Sequence, residues 1–382
     1  MLLIKTLIAK TGYLIIKTFG LGSGYTWPGY FIWKFFPETL SRAVFDFPEG
    51  VILVSGTNGK TTTVKLISAM LEGQGLRVLS NKSGANLLGG LLSTLLLDLS
   101  VFGKSDKDVA VLEVDELTLP NLVKTFPPDV LVLLNLSRDQ LDRYGEIDYI
   151  FNKWVSCVDS LSPSTTLIYD STQPLFKDLS ADFSGKVSRF SDDPEFLKNT
   201  PLLGSFNAKN LNAALGAVEA LEVDSEKALS SVSSFDFAYG RGEAVSFKEC
   251  LFRVFLAKNP ASMGNNLKLL SLEDLNPEGI LFVLNDEVRD GADISWFYDV
   301  SPEELKEACA GKEVFVSGNR CYDFSVRLMY AGVEVSPQNV SLNLKSLVGL
   351  VAKKYKGKEV LIFPNYSAML ETRKILIGRS IL

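Results

Sequence analysis

Val51-Ile52-Leu53-Val54-Ser55-Gly56-Thr57-Asn58-Gly59-Lys60-Thr61-Thr62 is the stretch whose reading decides the fold. Four aliphatic residues in a row read as a strand buried on both faces. The next residues are small and polar, and their two glycines lack Cβ and accept positive φ, so the backbone can wrap closely around a bound group. Over 61–74 the apolar residues Leu66, Ile67, Met70 and Leu71 recur at helical spacing, and Gly75 stops the helix. Residues 77–79 read as the next strand. Strand, tight loop, helix and strand form a βαβ unit, and such a crossover joins parallel strands.

The loop is suited to phosphate. Its amide N–H groups and the positive end of the following helix face an anion. The Lys60 ammonium can reach β- and γ-phosphates, and the Thr61 hydroxyl can ligate Mg²⁺. The strict pattern GxxxxGK[ST] asks for glycine at position 54, where this chain has Val54, so the loop is a variant. The competing reading is a glycine-rich turn that carries a surface lysine.

Working outward, buried-strand runs recur at 109–114, 130–134 and 166–169, with helical stretches between them. The pattern predicts an α/β, P-loop ATPase-like central domain with a parallel sheet over 42–238, preceded by an N-terminal helical and apolar segment, 1–41. Residues 170–200, rich in Ser, Asp and Pro, read as a loop region. A second α/β pattern begins near Ala244, with strands at 250–256, 279–284, 313–316 and 359–363 and helices at 302–310 and 342–354. It predicts an independent, doubly wound Rossmann-like domain over 239–382.

Composition narrows the chemistry. The 382-residue chain has a net charge of −6, which disfavours a basic surface for nucleic acid. It has no histidine, so Ser-His and Cys-His catalysis within the chain is excluded, as are His-ligated metals. Cys157, Cys250, Cys309 and Cys321 are scattered with no CxxC pair, which predicts isolated thiols in a reducing cytoplasm and no zinc. Residues 1–19 are apolar but interrupted by Lys5, Lys10 and Lys17. They are too broken to span a bilayer and lack a small-residue cleavage site. Two readings remain for them: an ordinary packed helix, or an interfacial helix lying on a membrane and followed by Trp27, Tyr30 and Trp33.

The Gly56–Thr62 loop resembles that of the Mur ligases and folylpolyglutamate synthetases. The likeness extends through Ser80-Asn81-Lys82-Ser83-Gly84-Ala85-Asn86-Leu87, Leu112-Glu113-Val114-Asp115-Glu116 and Arg138-Asp139-Gln140-Leu141-Asp142-Arg143-Tyr144-Gly145-Glu146. It continues in Phe206-Asn207-Ala208-Lys209-Asn210, Tyr239-Gly240-Arg241-Gly242-Glu243, Leu256-Ala257-Lys258-Asn259-Pro260 and Asp290-Gly291-Ala292-Asp293-Ile294-Ser295-Trp296. Together these resemble the MurT-type subunits of the Mur ligase superfamily.

That resemblance implies roles for particular residues. ATP would be held by Gly56, Thr57, Asn58, Gly59, Lys60, Thr61 and Thr62, with Asn207 and Asn210 near the adenine, Arg241 reaching the phosphates, and Lys258 and Asn259 close to the nucleotide. Mg²⁺ would be held by Thr61 and Glu113, Glu113 lying at the carboxyl edge of a predicted strand, where open α/β sheets bind ligands. Asp115 and Glu116 would assist the metal or cap a helix. Gln140 stands where many Mur ligases have a His on a second metal. In MurT-type proteins an Asp near the C-terminal domain's acidic segment completes a Cys-His triad on a GatD-type glutaminase partner; the candidates here are Asp293 and Asp299. Many of those proteins also carry a four-cysteine zinc ribbon, whereas residues 167–200 here contain no cysteine.

The implied reaction is ATP-dependent amidation of the D-glutamate α-carboxylate of lipid II to D-isoglutamine through an acyl phosphate. The ammonia would come from a GatD-type subunit in a heterodimer, and the work would be done in the cytoplasm or at the inner face of the membrane. The rival readings are a stand-alone Mur-type ligase acting on an amino acid or polyglutamate, and a nucleotide-binding scaffold without chemistry.

Overall fold

The computed structural model describes residues 1–378, apart from 21–23, 82–83, 101, 138–146, 194, 196, 198–199, 201, 234–239, 272–274, 276, 288–289 and 291–293. Two compact units divide at about residue 236. The first opens with α1 (Leu2–Thr18) and α2 (Trp27–Phe35). It continues with β1 (Val51–Ser55), α3 (Lys60–Gly73), β2 (Val78–Ser80), α4 (Leu88–Asp98), β3 (Val109–Glu113), α5 (Leu119–Thr125), β4 (Val130–Leu133) and α6 (Ile147–Asp159). Then come β5 (Thr166–Asp170), β6 (Lys186–Phe190), α7 (Ser205–Ala220) and α8 (Ser225–Ser230).

The six strands form a parallel sheet in the order β2-β3-β1-β4-β5-β6. β1, β3 and β4 are buried along their whole length, as their unbroken Val, Ile, Leu and Ala runs require. β1 lies between β3 and β4, so the chain reverses its direction of travel across the sheet beside β1. Such a switch point opens a crevice at the carboxyl ends of the strands. The expectation of loop throughout 170–200 is corrected here: β6 pairs with β5 from Thr166↔Lys186 to Asp170↔Phe190. β6 is an edge strand and largely solvated, which leaves it no apolar run to announce it.

Val54 occupies the position where the strict phosphate-loop pattern wants glycine. It lies inside β1, paired with Glu113 on one side and Val132 on the other. The glycine requirement moves to Gly56, at φ 145°, where an added Cβ would come within 2.9 Å of the Leu134 Cβ.

The second unit contains β7 (Arg241–Phe247), β8 (Cys250–Phe255), α9 (Pro260–Lys268), β9 (Gly279–Val283), α10 (Pro302–Cys309), β10 (Glu313–Ser317), α11 (Cys321–Tyr330), β11 (Val340–Ser341), α12 (Leu344–Lys354), β12 (Glu359–Pro364) and α13 (Tyr366–Ile377). Its sheet runs β11-β10-β9-β12-β8-β7, and β7 is antiparallel to β8. The expected second α/β sheet is therefore mixed. Lys248 and Glu249 turn the β7–β8 hairpin with φ of 49° and 66°, the geometry a two-residue hairpin demands. The core of this unit is aromatic: Phe282 lies 5.0 Å from Phe324 and 5.5 Å from Phe363, ring to ring.

Candidate active site

The site is built at the carboxyl end of β1, where α3 begins. Gly59 is the N-cap of α3 in left-handed conformation, φ 90°. A Cβ there would sit 2.2 Å from the Asn210 side-chain oxygen, so only glycine fits. Asn210 on α7 donates to Asn207 at 3.2 Å, and Asn207 donates to the Leu203 carbonyl at 2.8 Å. Both asparagines are buried, so α7 brings the two expected nucleotide-side residues under the phosphate loop.

Asn135, just past β4, clamps the loop from the other side. Its side-chain oxygen accepts the Asn58 N–H at 2.9 Å, its amide donates to the Asn58 carbonyl at 2.9 Å, and its own carbonyl accepts the Thr57 N–H at 2.9 Å. Thr62 is buried on the first turn of α3.

Two side-chain contacts to carboxylates lie behind the loop. The Lys60 ammonium lies 3.1 Å from a Glu116 carboxylate oxygen and also donates to the Gly56 carbonyl. The side chains are 9% and 3% exposed, so this is a desolvated ion pair. The Thr61 hydroxyl donates to Glu113 at 2.7 Å. Glu113, the last residue of β3, is buried and also accepts from the Asn86 amide at 3.3 Å. Asn81 fixes its backbone, accepting the Glu113 N–H at 2.8 Å and donating to its carbonyl at 3.0 Å.

A carboxylate and a hydroxyl in contact, both hard oxygen donors beside a phosphate-type loop, fit Mg²⁺. The Asp115 carboxylate accepts the N–H groups of Leu117 and Thr118, which caps the turn into α5. Glu116 is not a cap. It is the counter-ion of Lys60, and its carbonyl accepts the Trp154 indole N–H at 2.9 Å.

Thiol chemistry is set aside by burial. It pushes Cys157 and Cys309 up to about 12 and Cys250 up to about 11, so all three stay protonated and weakly nucleophilic at neutral pH.

The remaining expected residues belong to the second unit. Arg241 starts β7 opposite Phe255. Asn259 is fully buried at the N-cap of α9, where its side-chain oxygen accepts the Ser262 N–H at 2.8 Å in a capping box. That is a helix-starting role, and the Asn-Pro-Ala-Ser sequence carries its signal. Asp299 is exposed at the end of a short 3-10 helix, Ser295–Asp299. Asp293 and Gln140 lie outside the described residues. The neighbouring acids are committed elsewhere: Asp290 accepts the Ser367 N–H at 2.9 Å, and Asp286 pairs with Arg320 at 2.7 Å. Sequence reading missed Asn135 and Trp154. Their contacts join segments far apart in the chain and leave no local signal.

Comparison with known proteins follows the same division. Residues 54–198 match the Mur ligase middle domain family, and residues 256–369 match the MurT ligase C-terminal family. The lipid II isoglutaminyl synthase (glutamine-hydrolyzing) subunit MurT of Staphylococcus aureus strain COL is 27% identical, over 86% of this chain and 87% of that one. The protein of the same name from Streptococcus pneumoniae strain R6 is 25% identical, over 98% and 97%. Among solved structures, MurF ligase of Thermotoga maritima in complex with ADP superposes with a TM-score of 0.68 at 17% identity, over 92% of this chain and 85% of that one, which shows a shared fold. The variant loop, the Glu113 and Glu116 contacts behind it and these two matches converge: the chain carries a region that matches the Mur ligase middle domain, followed by one that matches the MurT ligase C-terminal domain.

Proposed function

We propose that the chain is the ATP-dependent amidating subunit of a lipid II isoglutaminyl synthase. The observation that carries this is the pairing of Lys60 with Glu116 and of Thr61 with Glu113 on a phosphate-type loop. The reading also draws on relatives of that name that align over most of the chain.

In this reading the α-carboxylate oxygen of D-glutamate in the peptide stem attacks the γ-phosphorus of ATP, and ADP leaves. Ammonia then attacks the acyl carbon of the resulting acyl phosphate. Inorganic phosphate leaves, the nitrogen loses a proton, and a carboxamide remains. Mg²⁺, when bound through Thr61 and Glu113, neutralises charge on the phosphates. The amides of the loop from Gly56 to Thr61 bind and orient the triphosphate. Lys60 brings a fixed cation to it, and Glu116 holds that ammonium in place before nucleotide arrives. Asn135 and Asn210 keep the loop backbone in its binding shape. Arg241, with its planar guanidinium, is proposed as a phosphate contact. Asp293 or Asp299 is proposed to orient an imidazole on a GatD-type glutaminase that supplies the ammonia, because this chain has no histidine of its own.

The test is to co-express the chain with a candidate glutaminase and to incubate the pair with ATP, Mg²⁺, glutamine and lipid II. Mass spectrometry of the product should show carboxyl converted to carboxamide. Ammonium chloride should replace glutamine when the glutaminase is left out. A product carrying an added amino acid would favour the stand-alone ligase, and absence of ADP release under both conditions would refute the proposal.

A further inference from the structure

The first helix is built inside out, and the second is apolar on its outer face as well as its inner one. α1 turns Lys5, Thr6 and Ala9 inward and leaves Leu3, Ile4, Leu7, Ile8, Leu14 and Ile15 between 45% and 64% exposed. At 3.6 residues per turn those six positions share one face. An amphipathic helix on a protein surrounded by water turns the opposite way. Lys5 is held on the inward side by its own partners: its ammonium binds Glu38 at 2.8 Å and the Thr39 hydroxyl at 2.6 Å.

α2 adds an aromatic outer face. It buries Pro28, Gly29 and Ile32 and presents Trp27, Tyr30, Phe31 and Phe35. Its seat is a backbone-to-backbone contact with α4. The Gly29 N–H donates to the Ser93 hydroxyl at 2.7 Å, and a Cβ on Gly29 would meet the Gly89 carbonyl at 2.1 Å. The aromatic face is therefore held outward by close packing beneath it.

Charge says what covers this face. The chain as a whole is at −6, yet residues 1–37 contain Lys5, Lys10, Lys17 and Lys34 and no Asp, Glu or Arg. Lys17 and Lys34 are exposed. Aliphatic side chains flanked by Trp, Tyr and Lys are the composition that lies at the boundary between headgroups and acyl chains, and lysines there gain from anionic lipid. None of the described helices is long and apolar enough to cross a membrane.

We infer that the outward face of α1 and α2 docks the protein onto an anionic phospholipid bilayer, lying in its surface without spanning it. This does not depend on the proposed amidation, and its test uses vesicles that contain no substrate, so the two can fail separately.

The experiment is sedimentation of the full-length chain with vesicles of phosphatidylglycerol and phosphatidylcholine, against vesicles of phosphatidylcholine alone. Binding should favour the anionic vesicles and weaken with added salt. The triple variant Leu7→Ser, Ile15→Ser, Phe31→Ser should bind at least roughly tenfold more weakly. Its melting temperature should match wild type, because the three side chains are exposed. Tryptophan emission should shift to the blue on binding, and Trp27→Phe should remove much of that shift, since Trp154 and Trp296 are already buried. Failure to bind anionic vesicles, or binding that the triple variant leaves unchanged, would overturn the inference. So would concentration-dependent self-association that the triple variant abolishes in a chain that ignores vesicles; the face would then join copies of the protein.

Discussion

The ammonium of Lys60 lies 3.1 Å from the carboxylate of Glu116, with both side chains almost entirely out of water. Removing either charge alone strands the other. Lys60→Met should therefore abolish ATP turnover and also lower stability, by about 3 kcal/mol. Adding Glu116→Gln to that variant should restore most of the lost stability and none of the turnover. Differential scanning fluorimetry and an ADP-release assay on the single and double variants separate the two effects. Restored turnover in the double variant would remove Lys60 from the mechanism.

Gly59→Ala tests the loop's shape without touching a charge. The new methyl would meet the Asn210 oxygen, and φ 90° disfavours any side chain. Nucleotide affinity measured by calorimetry should fall below detection. Pairing it with Asn210→Ala should not recover binding, because the backbone conformation remains strained.

Glu113→Gln keeps an oxygen that can accept from Thr61 and deletes the negative charge. Affinity for ADP in the presence of Mg²⁺ should drop by roughly tenfold or more, while affinity in EDTA should stay near that of wild type. An equal drop under both conditions would assign Glu113 to loop structure alone.

Asp299→Asn should leave ammonium-driven amidation intact and reduce glutamine-driven amidation by roughly two or more orders of magnitude if Asp299 is the residue that orients the partner's imidazole. If Asp299→Asn is silent, the same result is expected of Asp293→Asn. Full glutamine-driven activity in both variants would dismiss the shared triad.

Glu313 gives the second unit an acid-sensitive tie. Burial alone would raise its carboxyl, but hydrogen bonds from Lys354, Tyr355 and Asn339 outweigh that and hold it at about 2. A carboxyl depressed in the folded state stabilises above its unfolded value, near 4.5, and that contribution is lost as pH falls through about 2. Glu313→Gln should cost about 1 kcal/mol at neutral pH, a fall in Tm of roughly 2–4 °C. Melting curves of wild type and variant should converge as the pH is lowered from 5 toward 2.

What could be read from the sequence was what is local. β1, the loop and α3 follow from aliphatic run, glycines and helical spacing, and all three lie within a few residues of their expected bounds. The same holds for β3, β4, β9 and β12, whose apolar runs leave one interpretation. The Asn135 clamp was not legible, because Asn135 and Asn58 stand 77 positions apart and only the β1–β4 pairing brings them together. Glu116 was ambiguous between cap and ligand. Its role as counter-ion depends on where the first turn of α3 points Lys60. β6 escaped because an edge strand solvated on its outer side needs no apolar pattern. Apolarity in α1 was visible from composition, but which face looks outward depends on the inward contacts of Lys5 with Glu38 and Thr39, which join segments more than thirty residues apart.

Opposite Glu113 in the parallel ladder stands Val54. Neighbouring strands thus act as a ruler for the metal-side carboxylate. A slip of one residue between β1 and β3 would carry that carboxylate about 3.3 Å along the sheet and turn it to the opposite face. The aliphatic packing of Val109 through Leu112, far from any reacting atom in its chemistry, is what forbids the slip. Core substitutions there that preserve hydrophobicity but alter fit belong among the changes that blunt activity before they unfold the protein.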